Sequence, residues 1–333
     1  MQYVLFSVII PVYNRPDELN ELLQSLVGQH FKSFEVLVVD DGSSVSCEKI
    51  VSRYSDCLNI HYYYKSNTGP GLSRNYGAER SKGEYLIILD SDCILPDTYF
   101  DAIIGELNTD DSVDAFGGPD KAHASFSNVQ KAINYSMTSF FTTGGIRGGK
   151  KKMDKFYPRS FNMGVRREVY QTLGGFSNMR FGEDIDFSIR IFKNGYKCRL
   201  FPEAWVYHKR RTDWRKFFKQ VYNSGIARIN LYKKYPESLK VVHLLPAVFT
   251  LGVLVLLLGS VLCPWSLTLL LLYAFLVFVD STVKNRSALI GLYSVFAAYI
   301  QLIGYGSGFL WALWRRCVLK KDEFEAFKKN FYK

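Results

Sequence analysis

The sequence predicts an α/β fold: a mostly parallel sheet flanked by helices, then an interfacial amphipathic helix and a small helical membrane region. Three observations carry this. From Phe6 to about Gly118, short apolar runs alternate with helical patterns, as successive βαβ units require. Two acidic signatures, Asp90-Ser91-Asp92 and Gly182-Glu183-Asp184-Ile185-Asp186, close one apolar run and open one helical pattern. Beyond Val241 the apolar stretches become long and almost uninterrupted, enough for the roughly 20 residues that a membrane helix needs.

Strands are expected at Phe6–Ile10, Glu35–Val39, Ile60–Tyr64, Tyr85–Leu89 and Val113–Gly117, because each is short, apolar and bounded by turn residues. Helices are expected at Asp17–Gly28, Cys47–Ser55, Leu72–Ser81 and Asp97–Leu107. A further helix near Ser127–Phe141 leads into a Gly/Lys stretch, Thr142 to Lys152, which reads as a loop by composition. A strand (Ser160–Val165), a helix (Arg166–Leu173) and a helix ending at Asn194 complete a domain over residues 1–210. Residues 211–240 hold Trp214, Phe217, Phe218, Val221, Tyr222, Ile229 and Tyr232 at helical spacing with Arg and Lys between them. Such a basic amphipathic helix suits the plane of a membrane interface.

Residues 241–316 carry two to three membrane segments, Val241–Cys263, Ser266–Val279 and Ala288–Trp314, and residues 317–333 form a basic tail. Gly304, Gly306 and Gly308 interrupt the third segment. Two crossings plus a re-entrant or interfacial third segment keep Lys284, Arg286 and the tail in the cytosol, as the positive-inside tendency favours. Three full crossings put the tail outside.

The net charge of +11 is unevenly spread: 23 Lys+Arg face 25 Asp+Glu up to Ala204, and 19 face 6 afterwards. A basic excess beside apolar segments points to anionic lipid rather than to nucleic acid, which wants basic residues over a folded face. Cys47, Cys57, Cys93, Cys198, Cys263 and Cys317 show no C-x-x-C or zinc spacing, and read as ordinary thiols of a reducing compartment. The N-terminal apolar run lacks a basic region before it and a cleavage site after it. It reads as the first strand, which leaves the N-terminal domain on the cytoplasmic side of the plasma (inner) membrane.

Carboxylates after Tyr85–Leu89 lie where open α/β sheets bind ligands. Two of them one residue apart suit a hard divalent cation carrying phosphates. The second acidic cluster can supply a separate carboxylate to take a proton from an incoming hydroxyl. Val38-Val39-Asp40-Asp41-Gly42-Ser43 ends the second strand with two more carboxylates and a turn.

Taken in order, these runs closely resemble the family 2 glycosyltransferases. The resemblance rests on Val8-Ile9-Ile10-Pro11-Val12-Tyr13-Asn14, Val38–Ser43, Asn67-Thr68-Gly69-Pro70-Gly71-Leu72-Ser73-Arg74-Asn75, Gly83-Glu84-Tyr85 through Asp92, Gly174-Gly175-Phe176 and Gly182-Glu183-Asp184, over about residues 6–210. It implies a GT-A fold and inverting transfer from a nucleoside diphosphate sugar, a UDP-sugar first among them. Pro11, Asp41 and Arg74 then line the nucleoside pocket, with Asp40 supporting the turn. Asp90 contacts ribose or metal, and Asp92 holds Mg²⁺ or Mn²⁺ on the diphosphate. Asp184 is the general base, with Glu183 near the acceptor. His208 stands where some relatives place a third metal or phosphate contact, although a lone histidine is as readily structural.

Processive relatives carry Gln-x-x-Arg-Trp on an interfacial helix, whereas Gln220-Val221-Tyr222-Asn223-Ser224 stands here. The expectation is therefore a distributive enzyme adding one sugar to a lipid-linked or saccharide acceptor at a membrane, in cell-surface polysaccharide assembly. Transfer straight to a polyprenyl phosphate, or a catalytically silent nucleotide-sugar-binding subunit, are the alternatives. A dinucleotide oxidoreductase is set aside, because Pro11-Val12-Tyr13-Asn14 stands where G-x-G-x-x-G is needed.

Overall fold

The computed structural model describes residues 4–121, 123, 125–143, 156–179 and 181–322. They form two compact units, the first from residues 4–121 and 156–208 and the second from 123–143 and 209–322. Most of the expected Gly/Lys loop lies outside the described residues.

In chain order the elements of the first part are β1 (Phe6–Val12), α1 (Pro16–Val27), β2 (Phe34–Asp40), α2 (Glu48–Val51), β3 (Ile60–Tyr64) and α3 (Pro70–Ala78). Then come β4 (Tyr85–Leu89), β5 (Cys93–Ile94), α4 (Tyr99–Thr109), β6 (Ala115–Gly117) and β7 (Asp120–Lys121). After α5 (Asn128–Thr138) and α6 (Phe140–Thr143), which belong to the second unit, follow β8 (Asn162–Arg166), α7 (Arg167–Thr172), α8 (Glu183–Lys193), β9 (Cys198–Leu200) and β10 (Val206–His208).

Among the described residues the main sheet has seven strands in the order β3-β2-β1-β4-β8-β6-β9, and β8 alone runs against the others. Both faces are covered. Phe6, Val8, Ile10 and Val12 of β1 point into one core with Leu19, Leu22 and Leu26 of α1 and Tyr99, Phe100 and Ile103 of α4. Ile9 points into the other, with Leu86, Ile88, Val169, Tyr170, Phe187 and Ile191. This two-sided burial explains why the strands read as continuous apolar runs rather than alternating ones.

The order of strands decides where a ligand can sit. From β1 the chain steps outward to β2 and β3, then crosses back to place β4 on the other side of β1. β1 pairs with β4 only from Phe6 to Ile9, so beyond Leu89 the two chains part. This is a topological switch point, where the crevice at the carboxyl ends of the strands opens. Pro11 lies past the end of that pairing, where a missing N–H breaks no bond to β4. A small sheet β5-β10-β7 closes the same side, with His208 registered opposite Cys93.

The second unit adds α9 (Trp214–Lys234), α10 (Leu245–Gly259), α11 (Thr268–Asn285) and α12 (Ala288–Leu313). Among the described residues, three segments are long and apolar enough to span a membrane: Val241–Gly259, Pro264–Asn285 and Ala288–Val318. Their outward faces carry exposed Leu251, Leu258, Leu269, Leu271 and Phe275, a surface suited to lipid.

Four features differ from the sequence reading. Residues 123–143 join the second unit because Ala132, Ile133 and Met137 pack with Phe217, Val221, Ile290 and Ala297. The helix expected over Ser127–Phe141 breaks at Ser139, whose backbone is extended. α11 runs on past Asp280, whose carboxylate accepts from Tyr135 Oη at 2.5 Å and Lys284 Nζ at 2.8 Å. The glycines of α12 do not interrupt it. A Cβ on Gly308 would lie 2.1 Å from Tyr222 O, one on Gly304 2.6 Å from Val221 Cγ2, and one on Gly306 2.3 Å from Pro246 O. They are the faces against which α9 and α10 lie backbone to backbone, as small residues permit in membrane bundles. The inward face of α9, with Phe217, Val221, Ile226 and Ile229, is thus spent on packing within the unit.

Gly308→Leu should therefore overpack the α9–α12 contact and cost about 1–3 kcal/mol, lowering the thermal midpoint in detergent. Gly259→Leu, with nothing within 4 Å of its would-be Cβ, should leave it unchanged. Equal melting of the two variants would contradict this packing.

Candidate active site

Three turns built by sequence-local chemistry converge at the switch point. After β1, Asn14 takes a left-handed conformation (φ 52°) and its Oδ1 accepts from Ser44 N at 2.8 Å and Val45 N at 3.2 Å. Asparagine tolerates that conformation better than most residues. After β2, Asp40 Oδ1 accepts from Ser43 N at 2.8 Å, and its Oδ2 accepts from Tyr62 Oη at 2.7 Å. Asp41 is fully buried and holds the next loop: Oδ1 accepts from Thr68 N at 2.9 Å and Lys65 Nζ at 2.5 Å, Oδ2 from Gly69 N at 2.8 Å. Gly69 has φ 95°, a conformation glycine adopts without strain, and it starts α3. In this structure Asp40 and Asp41 thus shape the walls of the crevice rather than face its space.

α3 delivers the residue that joins the two acidic signatures. Arg74 is 3% exposed; its Nη2 donates to Asp90 Oδ1 at 2.7 Å and its Nη1 to Glu183 Oε1 at 3.1 Å. The guanidinium also lies 5.2 Å from the ring centre of Phe176. Burial alone would lower its pKa, but Asp90 and Glu183 outweigh this and keep it charged. The next residue, Asn75, clamps the loop leading to α8: Oδ1 accepts from Phe176 N at 2.8 Å, and Nδ2 donates to Phe176 O at 2.9 Å. Gly182, with φ 86°, caps α8, whose first turn holds Glu183, Asp184 and Asp186. Carboxylates there complement the helix dipole.

Glu183 and Asp184 sit side by side, nearly buried, and differ in state. Burial and the neighbouring Asp184 push Glu183 up to about 7 in spite of Arg74. Burial pushes Asp184 up as well, but the Arg159 guanidinium holds it below the usual carboxylate range. Arg159 Nε donates to Asp184 Oδ2 at 2.6 Å, and Ile185 N to Oδ1 at 2.8 Å. Asp184 is therefore ionised at neutral pH, while Glu183 titrates near it.

On the β4 side, Asp92 meets two partners. Its Oδ1 lies 3.2 Å from His208 Nε2, and its Oδ2 pairs with Arg15 Nη1. The ring of Phe161 stacks on His208 at 4.8 Å and fixes its plane. Asp92, Cys93 and His208 form a group that could hold a metal ion. The donor set fits Mg²⁺ or Mn²⁺ through the carboxylate and, for Mn²⁺, the imidazole. Cys93 is a poor third ligand. Burial raises its thiol well above the ordinary value, and its Sγ donates to Phe161 O at 3.4 Å, whereas a metal takes the thiolate.

The structure thus gathers Arg74, Asp90, Glu183 and Asp184 on one side, with Asp92 and His208 across the loop that follows β4. Sequence reasoning missed Arg15, Lys65, Arg159 and Asn75 as participants. Arg15 and Lys65 each lie at or just after a strand's carboxyl end, the one signal that could have marked them.

Residues 7–174 match the family model described as glycosyl transferase family 2. The chain belongs to that family. It is 25% identical over 224 residues to the "Probable glycosyltransferase YdaM" of Bacillus subtilis, covering 64% of this chain and 53% of that protein. Its matches to two Rickettsia glycosyltransferases span 14% and 12% of their lengths. The chain thus spans about half or less of these curated relatives. Among solved structures, a mannosyltransferase of Pyrobaculum calidifontis in complex with GDP-Man and Mn²⁺ aligns with a TM-score of 0.64 at 18% identity, over 93% of this chain and 88% of that one. A Staphylococcus aureus TarS fragment in complex with UDP-GlcNAc aligns at 0.51 and 23% identity, over 68% and 67%. These likenesses establish the GT-A-like fold.

Because Arg74 neutralises the nearly buried Glu183 beside the partly exposed Asp90, Arg74→Met should destabilise the enzyme by about 3–5 kcal/mol, the usual cost of orphaning a buried charge, read by denaturant unfolding. A melting curve within error of wild type would contradict the bridge. Glu183, raised from 4.5 to about 7, contributes stability that is full below its unfolded value and lost as pH rises through the folded one. Wild-type stability should therefore fall across that window and Glu183→Gln should flatten the fall. An unchanged pH profile would refute it.

Proposed function

We propose that this glycosyltransferase moves a sugar from a nucleoside diphosphate sugar to a hydroxyl of a lipid-linked acceptor, with inversion, at the cytoplasmic face of the plasma membrane. The observation that carries the reading is the convergence at one switch point of a cation-competent pair, Asp92 and His208, with an ionised, nearly buried carboxylate, Asp184. Solved neighbours holding GDP-Man with Mn²⁺ and UDP-GlcNAc support a nucleotide-sugar donor.

In this reading Asp92 and His208 would hold Mg²⁺ or Mn²⁺, with Asp90, paired to Arg74, toward the donor's ribose. When bound, the ion offsets the charge that grows on the departing diphosphate. Pro11, Asp41 and the β1 and β2 turns bound the nucleoside. Arg74 fixes Asp90 relative to Glu183, so the donor end and the acceptor end keep one spacing. Asp184 accepts the proton of the attacking hydroxyl while that oxygen bonds to the anomeric carbon and the diphosphate oxygen leaves with the bond pair. A base must be ionised before it accepts a proton, and Asp184, held below the usual carboxylate range by Arg159, meets that condition at neutral pH. Glu183 stays near the acceptor as a neutral or charged neighbour. The exposed apolar faces of α10 and α11 support a membrane-held acceptor.

The test is nucleoside diphosphate release by the detergent-solubilised full chain, offered UDP-, GDP- and dTDP-sugars with Mn²⁺ or Mg²⁺, then with EDTA. Each is run with and without membrane lipid extract and with a pure polyprenyl phosphate. The expected result is release from one donor that stops with EDTA and rises at least about tenfold when extract supplies the acceptor. Stimulation by the pure polyprenyl phosphate would select that acceptor. Absence of release and of donor binding across the panel would overturn the proposal.

A further inference from the structure

Arg15 stands at the switch point with no part in the reaction described above, yet it makes the closest contact to the carboxylate that reaction needs. Asp92 is 6% exposed at its side chain, with Oδ2 paired to Arg15 Nη1 and Oδ1 lying 3.2 Å from His208 Nε2. A divalent cation cannot share Oδ2 with a guanidinium at contact distance, because like charges a few Å apart repel strongly in a partly buried site. The Arg15 backbone, by contrast, is fixed. Its carbonyl accepts from Leu19 N at 3.1 Å, Pro16 follows it at the start of α1, and Asn14 before it is stapled to the β2 turn. Only the side chain, 35% exposed, is at liberty to move. Guanidinium groups bind phosphate oxygens in a bidentate fork, and the crevice Arg15 borders is where the donor's diphosphate belongs.

We propose that Arg15 competes with the cation for Asp92 and passes to the diphosphate when the donor binds. The inference rests on the metal and donor reading above. It makes Arg15 a coupling residue. The nucleotide draws Arg15 off Asp92 and so frees a ligand for the cation, and by reciprocity the cation favours the nucleotide. Metal alone binds weakly, and metal with nucleotide binds well.

The test measures the Mn²⁺ affinity of the full chain in detergent from the electron paramagnetic resonance of free Mn²⁺, alone and with saturating UDP, GDP or inorganic pyrophosphate. Wild type should bind Mn²⁺ at least about tenfold more tightly with a diphosphate than without, a typical coupling. Arg15→Gln should bind Mn²⁺ alone more tightly than wild type does, and should gain severalfold less from the diphosphate. Arg15→Lys, which keeps the charge and guards against a folding artefact, should retain part of the coupling. The double variant Arg15→Gln with Asp92→Asn should lose the tight binding. Equal Mn²⁺ affinity of wild type and Arg15→Gln without nucleotide, or equal gain with it, would overturn the proposal while leaving the metal site intact. Failure of every protein to bind Mn²⁺ under any condition would overturn the metal reading and the proposal with it.

Discussion

The site depends on one buried cation. Arg74, presented by α3, holds Asp90 after β4 and Glu183 at the head of α8 in a single guanidinium fork. Those two carboxylates are separated by most of a domain in sequence. Glu183 would be costly to bury alone, and the arginine makes it tolerable beside the partly exposed Asp90. A buried ion pair of this kind is weak evidence for stability in itself. Its use here is positional. In the proposed reading it holds the donor-side acid and the acceptor-side acids at one separation, as transfer between two bound molecules requires.

Around that fork the carboxylates divide their labour by environment. Asp40 and Asp41 are saturated with backbone and side-chain donors and act on the shape of loops. Asp184 and Asp92 are each met by an arginine that is about one-third exposed, 37% for Arg159 and 35% for Arg15. Glu183 is pushed toward neutrality by burial and by Asp184. Five carboxylates thereby take different tasks, two shaping loops, two paired with an arginine and one pushed up by burial, and environment rather than residue type does the sorting.

Much of this was legible beforehand. β3 and β4 coincide with the expected runs, and β1 and β2 extend theirs by one or two residues, because strands buried on both faces write themselves as unbroken apolar segments. The ordered acidic motifs pointed to the carboxyl ends of the strands for a similar reason: a strand end fixes where its carboxylates emerge. What escaped was set by contacts distant in sequence. β5, β7, β9 and β10 are two or three residues long, too short for any period to register. The placement of α5 with α9 and α12 follows from side-chain packing across distant segments. Gly304, Gly306 and Gly308 read as breaks because glycine disfavours helices locally; only the close approach of neighbouring backbones shows that the absence of a Cβ is what the packing needs. Arg15 and Arg159 carry no motif at all, since a long side chain on a loop can reach many places.

The central claim is that one crevice has a donor end at Asp92 and an acceptor end at Asp184, joined but separable. Calorimetric titration of a nucleotide sugar into Asp92→Asn and Asp184→Asn proteins, with Mn²⁺ present, tests it most directly. The account predicts that Asp184→Asn binds the donor as wild type does but transfers nothing, whereas Asp92→Asn loses the Mn²⁺-dependent part of binding. Mn²⁺-dependent donor binding that survives in Asp92→Asn, or wild-type turnover by Asp184→Asn, would contradict it.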